Sequence, residues 1–416
     1  MAELVNSPLG TRPSLGGTPK RRASMKVLMR NVREVVLGNL CFETWYFSPY
    51  PDNIIKGSRA KPTDTAVQNL TTLGGDGIKQ DGIVCERLYV CPLCFRYTPD
   101  EVNYAQHIMF HQEKQKFGEL MPVPDSAEKV YEWDGYVVWE VDGEAEKLYC
   151  QNLSLFAKLF LEQKSVFFDT GGFRYYVLTY TAQGSKGRGR GRKRASSGVD
   201  EPLFKTQVLG FFSKEDLSWD NNNLACILVF PPYQHRQLGQ LLMAVSYKLS
   251  GWEWEGGIIG GPEKPLSTMG RKAYLRFWSE RIARFFMASI FEKTTKRKTG
   301  FAREEMTVKD IGDRTGMLAE DVIAALNDMG ICDIKPAKRK QKISGENLDT
   351  KVINGHSDAE EFEPAKMVVS RAKVLLWIEN HKVDLVAPAR EEGFLGEWAL
   401  SDASDEVEEA EDQSDA

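Results

Sequence analysis

The stretch from Leu224 to Ser267 decides how this chain is interpreted. It begins with an apolar segment, LACILVF (224–230), passes through the polar turn PPYQHRQLGQ (231–240) into the helical segment LLMAVSYKLS (241–250), and ends with GGPEKPLS (260–267). A strand that leads through a turn into a helix leaves free backbone N–H groups and the positive end of the helix dipole at that turn. The sequence therefore predicts an anion site there, suited to a pyrophosphate.

Two reactive side chains flank the predicted anion site. Cys226 lies in the apolar strand, and Glu263 follows Pro262. A cysteine within an apolar strand is usually a small core residue, and a glutamate in a loop usually lies on the surface. Next to an anion site, however, the thiol is a candidate nucleophile and the carboxylate is a candidate general base.

These segments resemble the MYST family of lysine acetyltransferases, whose pattern combines an ACIL strand, a QRxxGxG coenzyme A loop and an SPEKPLS segment. A second match lies near the N-terminus, in WYFSPYP (45–51), and the resemblance extends over about residues 32–398. It implies an α/β (α+β) fold in which a central, GNAT-like mixed sheet carries an N-terminal zinc-finger subdomain and a C-terminal helix-turn-helix-like subdomain.

The resemblance implies transfer of an acetyl group from acetyl-CoA, as cosubstrate, to a lysine amine. A lysine with a pKa of about 10.4 is protonated at neutral pH, so the reaction needs a base. Glu263 matches the family's catalytic glutamate and Cys226 its active-site cysteine; direct attack and a route through an acetylated cysteine both remain open, and we favour direct attack. The residues implied to bind acetyl-CoA are Ile227, Leu228 and Val229 in the strand, Gln234, His235, Arg236, Gln237, Leu238, Gly239 and Gln240 in the turn, and Ser267 through its hydroxyl.

Three further positions follow from the same resemblance. Lys164, in LFLEQKSVFFD, matches a lysine that family members acetylate on themselves, although an exposed lysine at a helix end needs no such role. Gln237 stands where the family has its first loop glycine, so a positive φ at this position would strain the loop and weaken cofactor binding by about 1 kcal/mol. Gly261 replaces the family's usual serine or threonine.

Four metal-ligand side chains are spaced as Cys91-x2-Cys94-x12-His107-x3-His111. This spacing predicts a tetrahedral zinc site in which a knuckle supplies two thiolates and one helix face supplies two imidazoles. Four protein ligands leave no open position, so the predicted role of the zinc is structural. Family members usually have a cysteine at the position of His111. DNA-reading fingers share the spacing, but they usually act in tandem, and the sequence has no second finger.

The composition favours a nuclear protein. The 416 residues include no apolar run long enough for a membrane span and no apolar signal segment at the N-terminus, and the seven cysteines fit a reducing compartment. The net charge of −5 is due to an acidic C-terminal tail, whereas basic residues cluster at 20–22, 186–194 and 338–342. Such clusters are consistent with solvated loops, nuclear import signals or nucleic-acid contacts.

The pattern along the chain predicts five segments. They are a disordered basic N-terminus (1–31), N-terminal strands with the zinc finger (32–120), an acetyl-CoA-binding catalytic core (121–288) with a basic insertion (184–202), a C-terminal helix-turn-helix-like subdomain (289–400) with a linker (335–361), and a disordered acidic tail (401–416). Within the core, SVFFDTGGFRYYVLTYT (165–181) predicts a strand, a turn and a second strand.

The leading hypothesis is a nuclear histone lysine acetyltransferase. The spare layout is similar to the fungal silencing-type branch of the family, which implies histone H4, particularly its lysine 16, as substrate, with nucleosomes and chromatin-complex subunits as partners. The basic insertion is a candidate for non-specific DNA contact, and no membrane contact is expected. Two alternatives remain: a catalytically inactive scaffold subunit, favoured by Gln237, and a DNA-binding protein that uses the zinc site and the helix-turn-helix pattern at 306–334.

Overall fold

A computed structural model describes residues 29–55, 83–116, 120–182, 203–254, 257–294, 303–335 and 366–399. The basic clusters, the basic insertion, nearly all of the predicted linker and the acidic tail lie outside these residues. No helix in the described ranges is both long and apolar enough to cross a bilayer.

The strands are β1 (Val32–Leu37), β2 (Leu40–Glu43), β3 (Cys85–Val90), β4 (Tyr97–Thr98), β5 (Glu128–Trp133), β6 (Tyr136–Asp142), β7 (Phe173–Thr181), β8 (Thr206–Glu215), β9 (Asn222–Leu224), β10 (Cys226–Val229), β11 (Gly261–Pro262), β12 (Arg303–Met306), β13 (Cys332–Lys335) and β14 (Lys366–Ser370). The helices are α1 (Asp52–Ile55), α2 (Glu101–Gln115), α3 (Lys147–Lys158), α4 (Leu238–Lys248), α5 (Thr268–Thr294), α6 (Val308–Thr315), α7 (Ala319–Met329) and α8 (Arg371–His381).

The central sheet is antiparallel and has the order β10-β8-β7-β6-β5 among the described residues. Aromatic side chains stack across its longest strand pair, as the rings of Tyr176 and Phe212 do with centroids 4.6 Å apart. Such cross-strand contacts stabilise a pleated, buried surface. The predicted α/β fold with a central sheet and an N-terminal zinc-finger unit is confirmed. The central sheet was predicted to be mixed, but its described pairings are all antiparallel, and the parallel pairing of β9 with β11 lies in a separate short sheet.

The strand predicted at residues 165–168 is wrong, because this segment has no ladder partner. Its polar backbone is used differently: the carbonyl of Phe168 accepts a hydrogen bond of 2.6 Å from the Gln151 side chain. The two phenylalanines of the segment, Phe167 and Phe168, pack against each other with ring centroids 5.1 Å apart. An apolar run of this length predicts burial, but it does not distinguish a strand from a packed loop.

The zinc-finger unit combines the sheet β2-β1-β3-β4 with α2. Asp100 caps α2 by accepting hydrogen bonds from the backbone N–H groups of Val102 and Asn103, at 2.8 and 3.0 Å. Phe95, in the knuckle, lies 5.6 Å from the ring of Phe156 in α3 and 5.9 Å from that of Phe230 after β10. All three rings are fully buried, so one aromatic cluster joins the finger to the central sheet.

The apolar run at residues 224–230 contributes to two sheets. β9 pairs in parallel with β11, whereas β10 pairs with β8, and Ala225 lies between the two strands. One continuous apolar segment therefore connects the central sheet to the short sheet that carries the GGPEKPLS sequence.

The C-terminal unit contains the predicted helix-turn-helix. Thr307 and Asp310 form a reciprocal capping box at the start of α6, and Gly316 ends it with a positive φ of 64°. α7 then buries Val322, Ala325, Leu326 and Met329, and it packs against the long helix α5. The domain boundary predicted between residues 288 and 289 falls within α5.

Candidate functional site

The pairing of β9 with β11 brings the candidate base next to the candidate thiol. Pro262 is the register partner of Leu224, and the backbone N–H of Glu263 donates a 2.9 Å hydrogen bond to the Leu224 carbonyl. Two residues after Leu224, Cys226 begins β10 and is partly exposed. Glu263 and Cys226, which are 37 positions apart in the sequence, thus lie at one junction between two sheets.

Lys164 is buried at this junction, with 4% of its surface exposed. Burial lowers the pKa of its ammonium, while the nearby groups of Cys226, Cys150 and Glu263 act in the opposite direction. The description of Lys164 as an exposed lysine at a helix end is therefore wrong. No periodicity in the sequence marks this burial, because Lys164 follows the end of α3.

The carboxyl group of Glu263 has a raised pKa. Partial desolvation is the main cause, the negative charge of Glu215 adds to it, and the positive charge of Lys164 opposes it. A raised pKa makes a carboxylate a better proton acceptor at neutral pH. Glu215, at the end of β8, was not singled out from the sequence, since only the register of the central sheet places it near Glu263.

The strand β10 forms an edge of the central sheet. Among the described residues it pairs only with β8, so no second strand covers its other edge, although its Val229 carbonyl already accepts a hydrogen bond from the Gln234 side chain. Leu228 is buried at 5% exposure, whereas Ile227 and Val229 are half-buried. These three residues are the ones predicted to line the pantetheine arm, and an open strand edge suits that role.

The turn between β10 and α4 meets the condition under which Gln237 was expected to be strained. Gln237 has a φ of 63° and directly precedes the first residue of α4, and His235 also has a φ of 63°. A positive φ is costly for residues other than glycine. The side chain of Gln234 donates a 2.9 Å hydrogen bond to the Val229 carbonyl, and the Arg236 guanidinium lies 5.8 Å from the ring centre of Tyr233.

The start of α4 has room for an anionic group. A Cβ added to Gly239 would meet no heavy atom within 4 Å, so a ligand can approach its backbone closely. The side-chain oxygen of buried Gln240 has no hydrogen-bond partner among the described residues. Together with the dipole of α4, the open approach to Gly239 fits the pyrophosphate of acetyl-CoA, whereas the Gln240 oxygen is an acceptor and would need a donor group of the ligand. Ser267 lies at the start of α5, where its hydroxyl accepts a 3.0 Å hydrogen bond from the Gly270 N–H.

The four predicted zinc ligands lie together, with their ligand atoms within 4.8 Å of one another. The Cys94 sulfur is 3.3 Å from Nε2 of His107 and 3.7 Å from Nε2 of His111, and these two nitrogens are 3.1 Å apart. Tetrahedral zinc at its usual bond lengths requires separations of about 3.6 Å and about 3.3 Å. The donor set therefore fits a structural zinc ion, and hydrogen bonds from the Cys91 thiol and the imidazoles lower the pKa of Cys94.

The helix-turn-helix is not arranged to read DNA. Its second helix, α7, has an acidic first turn, where Glu320 and Asp321 both bind the ammonium of Lys264. Acidic side chains repel phosphates, and the face of α7 that α5 leaves exposed carries Asp328 as a further acidic side chain, where a DNA-reading helix would carry basic ones.

Comparisons with known proteins agree with this geometry. The model of the MOZ/SAS family matches residues 124–373, and that of the MYST family zinc finger domain matches residues 29–60. The chain is 30% identical over 350 residues to "Histone acetyltransferase MOF" of Drosophila melanogaster, which is 84% of this chain and 33% of that protein. It is 31% identical over 325 residues to "Histone acetyltransferase Tip60 homolog" of Caenorhabditis elegans, at 76% and 56% coverage.

A third relative has a more similar extent. The chain is 32% identical over 302 residues to "Histone acetyltransferase SAS2" of Saccharomyces cerevisiae, which is 72% of this chain and 75% of that protein. The chain thus spans one third to three quarters of the length of these curated relatives. Because the family model covers more than half of the sequence, including the segments that form the junction, this chain belongs to the MOZ/SAS family.

Proposed function

We propose that this protein is a histone lysine acetyltransferase that moves an acetyl group from acetyl-CoA to a lysine of a histone tail. The observation that carries the proposal is the hydrogen bond from the Glu263 N–H to the Leu224 carbonyl, which places the candidate base beside the segment that continues through Cys226 and β10 to the N-terminus of α4. Buried Lys164 lies within the electrostatic reach of both Cys226 and Glu263. Acetyl transfer from acetyl-CoA to an amine requires a base, a surface along which the thioester can lie, and a site for the anionic pyrophosphate. The names of the three relatives support the same activity.

In the proposed reaction, bound acetyl-CoA supplies the acetyl thioester. Glu263 accepts a proton from the ammonium of the substrate lysine, which makes the amine nucleophilic. The raised pKa of Glu263 narrows the gap to the lysine pKa and so favours this proton transfer. The positive charge of Lys164 opposes the rise and helps to keep the carboxylate ionised at neutral pH. We place Cys226 beside the thioester and favour direct attack by the amine, in which a carbon–nitrogen bond forms at the acetyl carbonyl, the carbon–sulfur bond breaks, and coenzyme A leaves as a thiolate that takes up a proton.

Lys164 is also the proposed site of self-acetylation. Its ammonium lies inside the molecule within the electrostatic reach of Cys226 and Glu263, so the acetyl group has only a short way to travel. Mass spectrometry of the purified protein after incubation with acetyl-CoA tests this assignment. We expect a gain of one acetyl group on Lys164 that the Glu263→Gln variant lacks; an unmodified Lys164 in a protein that acetylates peptides would contradict it.

For the substrate, we propose lysine 16 of histone H4, in the nucleus and together with chromatin-complex subunits. The match to the yeast silencing protein SAS2 supports this branch, since it extends over three quarters of that protein. The basic insertion at residues 186–194 is the proposed contact to nucleosomal DNA, because glycine-spaced basic residues can follow a phosphate backbone without reading its sequence.

The experiment that tests the function compares two histone H4 tail peptides, one natural and one with arginine at position 16. With acetyl-CoA and the purified protein, we expect acetylation of the first peptide and a loss of most product with the second. Acetyl-CoA is also expected to raise the melting temperature, because a ligand of the native state stabilises it by mass action. A thermal shift without acetylation of any histone peptide would favour the inactive scaffold instead, and the absence of both would refute the proposal.

A further inference from the structure

The helix-turn-helix binds the loop that carries Glu263 through the side chain of Lys264. The Nζ atom of Lys264 donates a 2.8 Å hydrogen bond to Oδ1 of Asp321 and a second hydrogen bond to Glu320. Asp321 is 2% exposed, whereas the side chain of Glu320 is 65% exposed. A buried carboxylate is costly unless it is paired, so the contact with Lys264 is what allows Asp321 to lie in this position.

The backbone of the same loop touches α7 directly. A Cβ added to Gly261 would lie 2.9 Å from Oδ2 of Asp321 and 2.9 Å from the side chain of Leu318. The presence of glycine at position 261, where the family usually has serine or threonine, therefore has a structural reason in this chain. A side chain at this position would have to displace the ends of the Asp321 and Leu318 side chains.

The helix-turn-helix that supplies Asp321 is anchored to α5. Arg281 of α5 donates a 2.6 Å hydrogen bond to the carbonyl of Thr315, at the end of α6, and its guanidinium lies over the rings of Tyr247, Trp252 and Phe277. A side chain that positions a reactive group needs such a support, because a small misplacement of the reacting groups is enough to lower the rate.

We propose that Asp321 is a positioning residue for the GGPEKPLS loop. By binding Lys264 on the side of the loop that faces α7, Asp321 directs the neighbouring Glu263 toward Cys226. Glu263 continues the β11 ladder through its N–H group, and successive side chains of an extended segment point to opposite sides. Fixing Lys264 against α7 thus sets the side on which Glu263 emerges. This inference rests on the proposed role of Glu263 as the base.

The contact also controls the charge near the base. Lys264 neighbours Glu263 in the chain, and its ammonium, once released, can turn toward Glu263. The groups that act on Glu263 in the structure are Glu215 of β8 and Lys164 after α3. Those that face Asp321 are Lys264, Glu320 on its own helix, and the hydroxyls of Tyr247 and Tyr274.

The test compares Asp321→Asn with Asp328→Asn, a matched change at an exposed position of the same helix. With a histone peptide that the unaltered protein acetylates, we expect Asp321→Asn to lower kcat about tenfold and to move the acid limb of the pH profile to lower pH. Its affinity for acetyl-CoA is expected to stay within twofold, because Asp321 faces Tyr247 near the C-terminal end of α4, whereas the cofactor is proposed to bind at the N-terminus of α4 and along β10. Glu320→Gln, which removes the exposed partner, is expected to lower kcat less than twofold.

A second variant covers the case in which Asp321→Asn does not fold. Lys264→Met breaks the same contact from the partly exposed side, and we expect a similar loss of kcat without a shift of the acid limb to lower pH, since no ammonium is released. The inference is overturned if the variants that fold, Asp321→Asn or Lys264→Met, have a kcat within twofold of that of Asp328→Asn. It is also overturned if their affinity for acetyl-CoA falls by the same factor as kcat. If the unaltered protein acetylates no histone peptide, it is the proposed function that fails.

Discussion

The zinc centre and the acetyl-transfer site are assembled in different ways. The four zinc ligands come from 21 consecutive residues, Cys91 to His111, which form one knuckle and one helix. The acetyl-transfer site combines Lys164, Cys226 and Glu263, which are spread over 100 residues and meet only where two sheets join. The comparison teaches that spacing predicts a site formed by one local motif, whereas a site formed between sheets depends on strand pairing.

The largest expected effect is a loss of acetylation activity at the junction without a loss of stability. Glu263→Gln removes the base and keeps the side-chain volume, so we expect peptide acetylation at pH 7 to fall by about 10²- to 10⁴-fold with an unchanged melting temperature. Activity should recover in part at high pH, where the substrate lysine loses its proton unaided. The control is Glu128→Gln at an exposed position of β5. An activity of Glu263→Gln equal to that of this control would remove Glu263 from the mechanism.

The second effect is on folding rather than on chemistry. Cys94→Ala removes one zinc ligand, and because metal binding and local folding are coupled, we expect loss of zinc by elemental analysis and a clearly lower melting temperature. The loss should extend to acetyl-CoA binding, since Phe95 in the knuckle packs against Phe230 at the end of β10. Cys41→Ala, at an exposed cysteine, is the control. A zinc content and melting curve like those of the control would refute the metal site.

A smaller effect concerns the pH dependence of the junction. Glu263 must be ionised to accept a proton, so activity is present above its folded-state pKa and is lost as the pH falls through that value. Because this pKa is raised, the acid limb of kcat/KM is expected above the ordinary glutamate value of about 4.3. Glu215→Gln removes a charge that raises the pKa and should move the limb to lower pH. An acid limb that Glu215→Gln leaves in place would show that another group titrates.

The smallest effect is on the strained turn. Gln237→Gly relieves a positive φ of 63°, so we expect a gain of about 1 kcal/mol in the free energy of unfolding and a severalfold tighter binding of acetyl-CoA, measured by titration calorimetry. Lys382→Gly is the matched control, since Lys382 has a φ of 49° at the end of α8. It should raise stability without changing acetyl-CoA affinity. Weaker binding by Gln237→Gly would mean that the glutamine side chain itself holds the cofactor.

Much of the fold could be predicted from local patterns. The strand that begins at Val32, the amphipathic helix α3 and the helix-turn-helix each follow a periodicity or a capping signal within a few residues. The segment at 165–168 has equally apolar residues but forms a partly exposed loop, in which Phe168 is 49% exposed. Whether this segment forms a strand depends on whether a neighbouring strand is available for pairing, and the periodicity of the sequence carries no information about such a partner.

The sequence by itself determined the zinc ligands, the strand-turn-helix of the anion seat and the positive-φ position at Gln237, because each depends on residues close together in the chain. Only the tertiary structure decided the burial of Lys164, the influence of Glu215 on Glu263 and the contact between Lys264 and Asp321. These features depend on desolvation and on charges brought near by distant segments. Such effects act through space, and the order of residues along the chain does not specify which of them will become neighbours.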